Sequence, residues 1–111
     1  MQSNYLNVFA MRLRLARKAK NLSQERLGIL AGIDESSASA RMNQYEKGKH
    51  TPDFLMASQI AKVLDIPTAY FYIEDDLLAE IIKQSYLLSS EQKAQVLDYM
   101  KTLEESSLRP L

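Results

Sequence analysis

A chain of 111 residues with 46% apolar content suits one packed domain with a short extension. The absence of cysteine excludes disulfides and thiolate metal sites, and a single histidine cannot anchor a zinc cluster, so no metal or other cofactor is expected. The zero net charge hides a sorting by position: residues 1–51 hold nine Lys or Arg against four acids, and residues 52–111 hold five against ten. A basic half is the electrostatic footprint of phosphate neutralisation, and an acidic half points away from nucleic acid. The opening MQSNYLNVFAMRLRL has no apolar run of signal-peptide length, and no stretch approaches the roughly 18 apolar residues of a membrane span. A soluble, cytoplasmic chain without membrane contact is the expectation.

In chain order the periodicity predicts only helices, an all-α fold. Phe9, Leu13 and Ala16 (i, i+4, i+7) give one apolar face to a first helix over about 7–20, leaving Arg12, Arg14, Lys18 and Lys20 largely outside it. Ser23 is an N-cap candidate and Glu25 suits the positive end of a second helix, Gln24 to Ala31, closed by Gly32. Ala38, Met42 and Tyr45 mark a third helix ending at Lys47 with Gly48 as its cap. Thr51 and Pro52 read as N-cap and first residue of a fourth, with Phe54, Ala57, Ile60, Ala61 and Leu64 as its buried stripe until Asp65-Ile66-Pro67. A short fifth helix over 68–72 follows. In YFYIEDD, Tyr70 and Phe71 read as core contacts and Asp75-Asp76 as an acidic cap.

The segments RLRLARKAKNLSQERLGILAGI, MNQYEKGKHTP and IAKVLDIP, in that order over residues 7–73, resemble the Cro/CI-like helix-turn-helix domain, or XRE family, of phage repressors and bacterial regulators. The resemblance implies a five-helix, lambda-repressor-like DNA-binding domain over residues 1–75, with the third helix reading the major groove. Gln24, Gly28 and Gly32 occupy the family's glutamine, small-residue and glycine positions. A mid-helix glycine costs roughly 1 kcal/mol relative to alanine, so Gly28 calls for a packing reason such as a close helix crossing. An ungapped alignment would bury Arg41. Inserting four residues instead places Met42 and Tyr45 at the family's buried positions, Glu46 at its acidic position and Gly48 at its helix-ending glycine. Four residues are about one helical turn, so DESSASA either lengthens the connection or adds a turn to the front of the reading helix.

The resemblance also assigns side chains. Arg17 and Glu46 match a bridge between the first and third helices. Gln24 matches a glutamine that contacts a phosphate and braces a recognition-helix side chain; the bland alternative is a solvated first-turn residue. Gln44 matches a position facing the groove, and amides can bond adenine N6 and N7. Ser37, Ser39, Ala40, Arg41 and Asn43 surround it. Arg41 can read guanine, lie along a phosphate or pair with Glu35. Lys47, Lys49 and His50 sit where the family touches backbone phosphates, with plain solvation as the alternative for the last two.

Beyond residue 76, Leu77, Leu78, Ile81, Ile82 and Tyr86 form a wide apolar face, and Ser89 with Gln92 forms a capping box for a further helix to about Leu103. A tail ESSLRPL is expected to fray. The two stripes of this 76–111 extension suit a homodimer interface better than packing on the same chain. No P-loop, zinc signature or serine-histidine-acid arrangement is present, so no catalytic residues are expected. The reading is a sequence-specific double-stranded DNA-binding regulator, a dimeric repressor. The alternatives are the antitoxin of a toxin-antitoxin pair, with a protein partner on the C-terminal helices, or an interaction module that has lost DNA binding.

Overall fold

Short polar segments punctuate the chain, and in most of them a local hydrogen bond shows why the helix stops or starts there. The computed structural model describes the backbone of residues 4–107 and the side chains of residues 8–106. Its elements are α1 (Asn4–Ala19), α2 (Gln24–Leu30), α3 (Glu35–Glu46), α4 (Phe54–Leu64), a 3-10 helix (Thr68–Tyr72), α5 (Asp76–Tyr86) and α6 (Ser90–Ser107), with no strand among the described residues.

Helix α1 begins earlier than its apolar period, and the left-handed Asn21 (φ 56°) turns the chain out of it. Ser23 caps α2 by accepting from the Arg26 N–H. Ala31 lies just beyond the end of α2, and Gly32 (φ 100°) lets the Ile33 N–H reach back to the Gly28 carbonyl at 2.9 Å. At the start of α4 the expected cap is displaced: Asp53, not Thr51, accepts from the Met56 N–H at 2.9 Å, and Pro52 is buried in the preceding loop. Both threonine and aspartate can cap, and the aspartate lies where the chain first turns helical. Consequently Phe54 falls in the first turn and is 74% exposed, leaving the buried stripe to Ala57, Ile60, Ala61 and Leu64.

One core joins α1 to α4 and the 3-10 helix. Phe9, Leu13, Leu27, Met42, Ile60, Leu64 and Phe71 are its largest fully buried side chains. Phe71 stacks at 4.8 Å on Phe9, and Tyr70 and Phe71 are core contacts. Arg12 corrects the sequence reading: it lies inside rather than on the solvent face. Its guanidinium is satisfied by the carbonyls of Ile73 and Glu74, each at 3.0 Å, and by Asp76 at 2.9 Å. Apolar periodicity cannot reveal this, because the burial is made possible by acceptors 61 and 62 residues away.

The last two helices project from this body. Asp75 caps α5 and Ala79 alone of that helix is buried in the core. Ser89 and Gln92 exchange the two bonds of a capping box at the entry to α6 (2.9 and 3.1 Å). Helix α6 runs through Ser107 rather than stopping near Leu103, and residues 108–111 of the expected frayed tail lie outside the described residues. A radius of gyration of 16.5 Å and extents of 54 × 38 × 22 Å mark an elongated chain, against about 13 Å for a sphere-like domain of this length.

Candidate nucleic-acid interface

Helix α3 is built by its inner face. Ala38, Met42 and Tyr45 are buried at i, i+4, i+7, and Ala38 lies so close to α2 that only a residue without Cβ fits opposite it. A Cβ on Gly28 would meet the Ala38 Cβ at 2.9 Å and its carbonyl oxygen at 3.0 Å. The four-residue connection 31–34 between α2 and α3 has ordinary length for such a turn. The extra residues of DESSASA therefore enter the helix: α3 has twelve residues, about 18 Å, with an added turn at its N-terminal end. Asp34 precedes it and accepts from the Ser36 hydroxyl.

Three side chains lock α3 to the rest of the body. Arg17 of α1 donates to Glu46 through Nε (2.5 Å) and Nη2 (3.0 Å), and through Nη1 to the Leu22 carbonyl (2.8 Å). The Glu46 side chain is 3% exposed, so this bidentate pair is largely dry. The hydrogen bond to Glu46 holds the Arg17 guanidinium above its ordinary range, burial opposing. Gln24 completes the lock, its Nε2 donating to Glu46 (3.1 Å) and to Asn43 Oδ1 (3.3 Å). Gln24 is thus a brace on α3, with both amide hydrogens engaged, and Asn43 is half-buried and oriented by it.

At 3.6 residues per turn the face opposite the buried one carries Ser36, Ser39, Ala40, Asn43, Gln44 and Lys47. Of these, Ser36, Ser39, Ala40, Gln44 and Lys47 are exposed, and Ser37 is half-buried at the flank. Gly48 (φ 75°) ends the helix with the Lys49 N–H returning to the Gln44 carbonyl at 3.0 Å, and exposed Lys49 and His50 follow. The surface gathers small polar side chains, two amides and a basic exit, which suits base edges at the centre and phosphates at the end.

Arg41 lies to one side. Its Nη2 donates to the Tyr45 hydroxyl at 2.9 Å and its guanidinium sits 6.0 Å from the Tyr45 ring, so its partner is the residue one turn on and not Glu35. The sequence reading missed Tyr45 as a positioning group, although its i+4 spacing was the available signal. Arg41 lines an open groove of about 350 Å³ with Gln44, His50, Thr51, Leu55 and Gln59. Among the described residues no cluster of His, Cys, Asp or Glu could hold a metal, and no helix is long and apolar enough to cross a membrane.

The helix-turn-helix family HTH_3 matches residues 13–71, just over half of the chain. The solved structure of the transcriptional regulator BswR superposes with a TM-score of 0.81 at 42% sequence identity, covering 87% of this chain and 96% of that one. No curated protein matches the sequence. The family match falls on the α1-to-3-10 body that carries the braced α3, the structural likeness extends beyond it into the last two helices, and the chain belongs to the XRE-type helix-turn-helix family.

Proposed function

We propose that the chain is a non-enzymatic, sequence-specific double-stranded DNA-binding regulator that acts as a homodimeric repressor. Residues 1–75 are the DNA-binding unit and residues 76–111 the dimerisation element. The observation that carries the reading is α3: its inner face is fixed by Gly28, Arg17, Glu46 and Gln24, and its outer face is left to Ser39, Ala40, Asn43, Gln44 and Lys47. Gln44 and Asn43 are the base-reading candidates. Arg41, Lys47 and Lys49 neutralise phosphates, and Ser37 and Ser39 supply hydroxyls at the groove edge.

Dimerisation is supported by the extension. Leu77, Leu87, Leu97, Tyr99 and Met100 are 43–72% exposed, and α6 makes no extended packing with the body. An 18-residue helix with so little packing is marginal in water, whereas a second copy would bury its apolar face. The shallow cleft between α5 and α6, lined by Leu88, Val96, Leu97 and Met100, offers the seat. Two copies about a two-fold axis would present their α3 helices to half-sites about 34 Å apart, one turn of DNA. A dimer seated on such a site excludes other proteins from it without any further domain, hence repression.

The test is selection of genomic fragments by the full-length protein, alongside sedimentation of wild type and a Leu97→Asp/Met100→Asp variant. A two-fold symmetric motif, a wild-type dimer and a folded monomeric variant with concentration-dependent operator binding are expected. An absent motif would overturn DNA reading, and an asymmetric one would overturn the two-fold dimer. Copurification of a second small protein seated on the same apolar arm would favour the antitoxin reading, in which the DNA-binding body is unchanged.

A further inference from the structure

Helix α1 carries two arginines, five positions apart, that both reach out of it to other parts of the chain. Arg17 grips Glu46 near the end of α3 (2.5 and 3.0 Å). Arg12 grips the segment that leads from the 3-10 helix into α5: Nε to the Ile73 carbonyl, Nη2 to the Glu74 carbonyl and to the Asp76 carboxylate. Together with the packing of α5 on the 3-10 helix and the buried Ala79, these contacts hold the projecting arm to the body. An exposed Asp76, 86% accessible, adds little alone, so the two carbonyl bonds made by the buried arginine fork carry the orientation.

We infer that Arg12 is a positioning residue for the spacing of the two DNA half-sites: α1 is a strut with Arg17 in its last turn fixing the reading helix and Arg12 at its middle fixing the dimer arm. This rests on the dimer reading above. In a two-fold dimer the separation and relative rotation of the α3 helices follow from the angle at which α5 leaves the body, and every degree of freedom at residues 73–75 is doubled across the axis. With Arg12 in place the dimer tolerates one spacing; without it the arm swivels about residues 73–75, and each copy still binds its own half-site.

The experiment uses full-length wild type, Arg12→Leu and Arg12→Lys, with folding followed by circular dichroism and association by sedimentation. Lysine keeps a charge for Asp76 but cannot span both carbonyls. Each protein is titrated with its selected operator, with operators in which two base pairs are inserted between or removed from the half-sites, and with a single half-site. Wild type should lose at least about tenfold in affinity on altered spacing, whereas Arg12→Leu should bind all spacings within about threefold and the single half-site as wild type does. Arg12→Lys should lie between. An unchanged spacing profile in a folded dimeric variant overturns the assignment, and so does failure of both variants to fold, which would make Arg12 a determinant of the fold itself. A wild-type monomer at tens of micromolar would instead remove the dimer reading on which the inference stands.

Discussion

Replacing Gly28 by alanine sets two magnitudes against each other. In an exposed helix the change would stabilise by roughly 1 kcal/mol, because glycine surrenders more backbone freedom on folding. Here the new methyl would lie 2.9 Å from the Ala38 Cβ, 3.0 Å from its carbonyl oxygen and 3.2 Å from its Cα. Carbon atoms sit comfortably at about 3.5–4.0 Å, so relief needs more than half an ångström, and two of the three obstructing atoms belong to α3 backbone that no rotamer change can move. Overpacking of this kind costs about 1–3 kcal/mol and upward, and the rigid neighbours put this site at or above the top of that range. We therefore expect Gly28→Ala to destabilise by about 2 kcal/mol net, lowering the melting temperature by about 8–16 °C. Thermal and urea unfolding followed by circular dichroism measure it. Pairing the change with Ala38→Gly, which removes the nearest obstructing atom, should cost less than the sum of the two single changes. A Gly28→Ala protein as stable as wild type, or more so, would refute the close crossing that sets the position of α3.

Four further changes probe the interface and its support. Glu46→Ala removes the partner of a largely dry Arg17 and frees Gln24, and should cost about 3 kcal/mol in urea unfolding; a loss below about 1 kcal/mol would mean the bridge is ornamental. Lys47→Ala should weaken binding to all sequences alike and lower the slope of log affinity against log salt by about one unit, and an altered sequence preference with an intact slope would contradict a phosphate role. Gln44→Ala should relax preference at one base pair by about 1–3 kcal/mol with non-specific affinity nearly constant, which a repeated selection would reveal as a lost position in the motif. Burial pushes the Tyr70 hydroxyl above the ordinary tyrosine range, with Arg12 pulling the other way, so the folded state holds this proton more tightly than the unfolded one. The stability this contributes is whole below about pH 10 and is lost as the pH rises above it, so Tyr70→Phe should flatten the alkaline decline in stability, and equal declines would disprove the linkage.

Much of this architecture was legible because its determinants are local. Ser23, Gly32, Gly48 and the Ser89–Gln92 pair act within a few residues of themselves, and Met42 and Tyr45 announce the register of α3 because an alternative would bury Arg41. The features that escaped are made by distant or competing partners. Arg12 looks solvent-facing until residues 73–76, brought back by the whole fold, offer it two carbonyls and a carboxylate. Phe54 looks like core because it is large and apolar, yet the cap at Asp53 rotates it outward. In DESSASA the serines and acids suit a loop and a first helical turn equally well, so propensity could not assign the added turn to α3. The tie of Arg41 to Tyr45 rests on a side-chain direction that spacing permits without requiring.

The most direct test of the central claim, that α3 reads base sequence, is a fluorescence anisotropy titration of full-length protein. It compares the duplex most enriched from genomic fragments with a scrambled duplex of the same composition, at two salt concentrations. If α3 reads bases, the enriched duplex binds at least about 10³-fold tighter than the scrambled one, with both affinities falling as salt rises. Equal affinity for the two duplexes, or no binding to either at low salt, would contradict it.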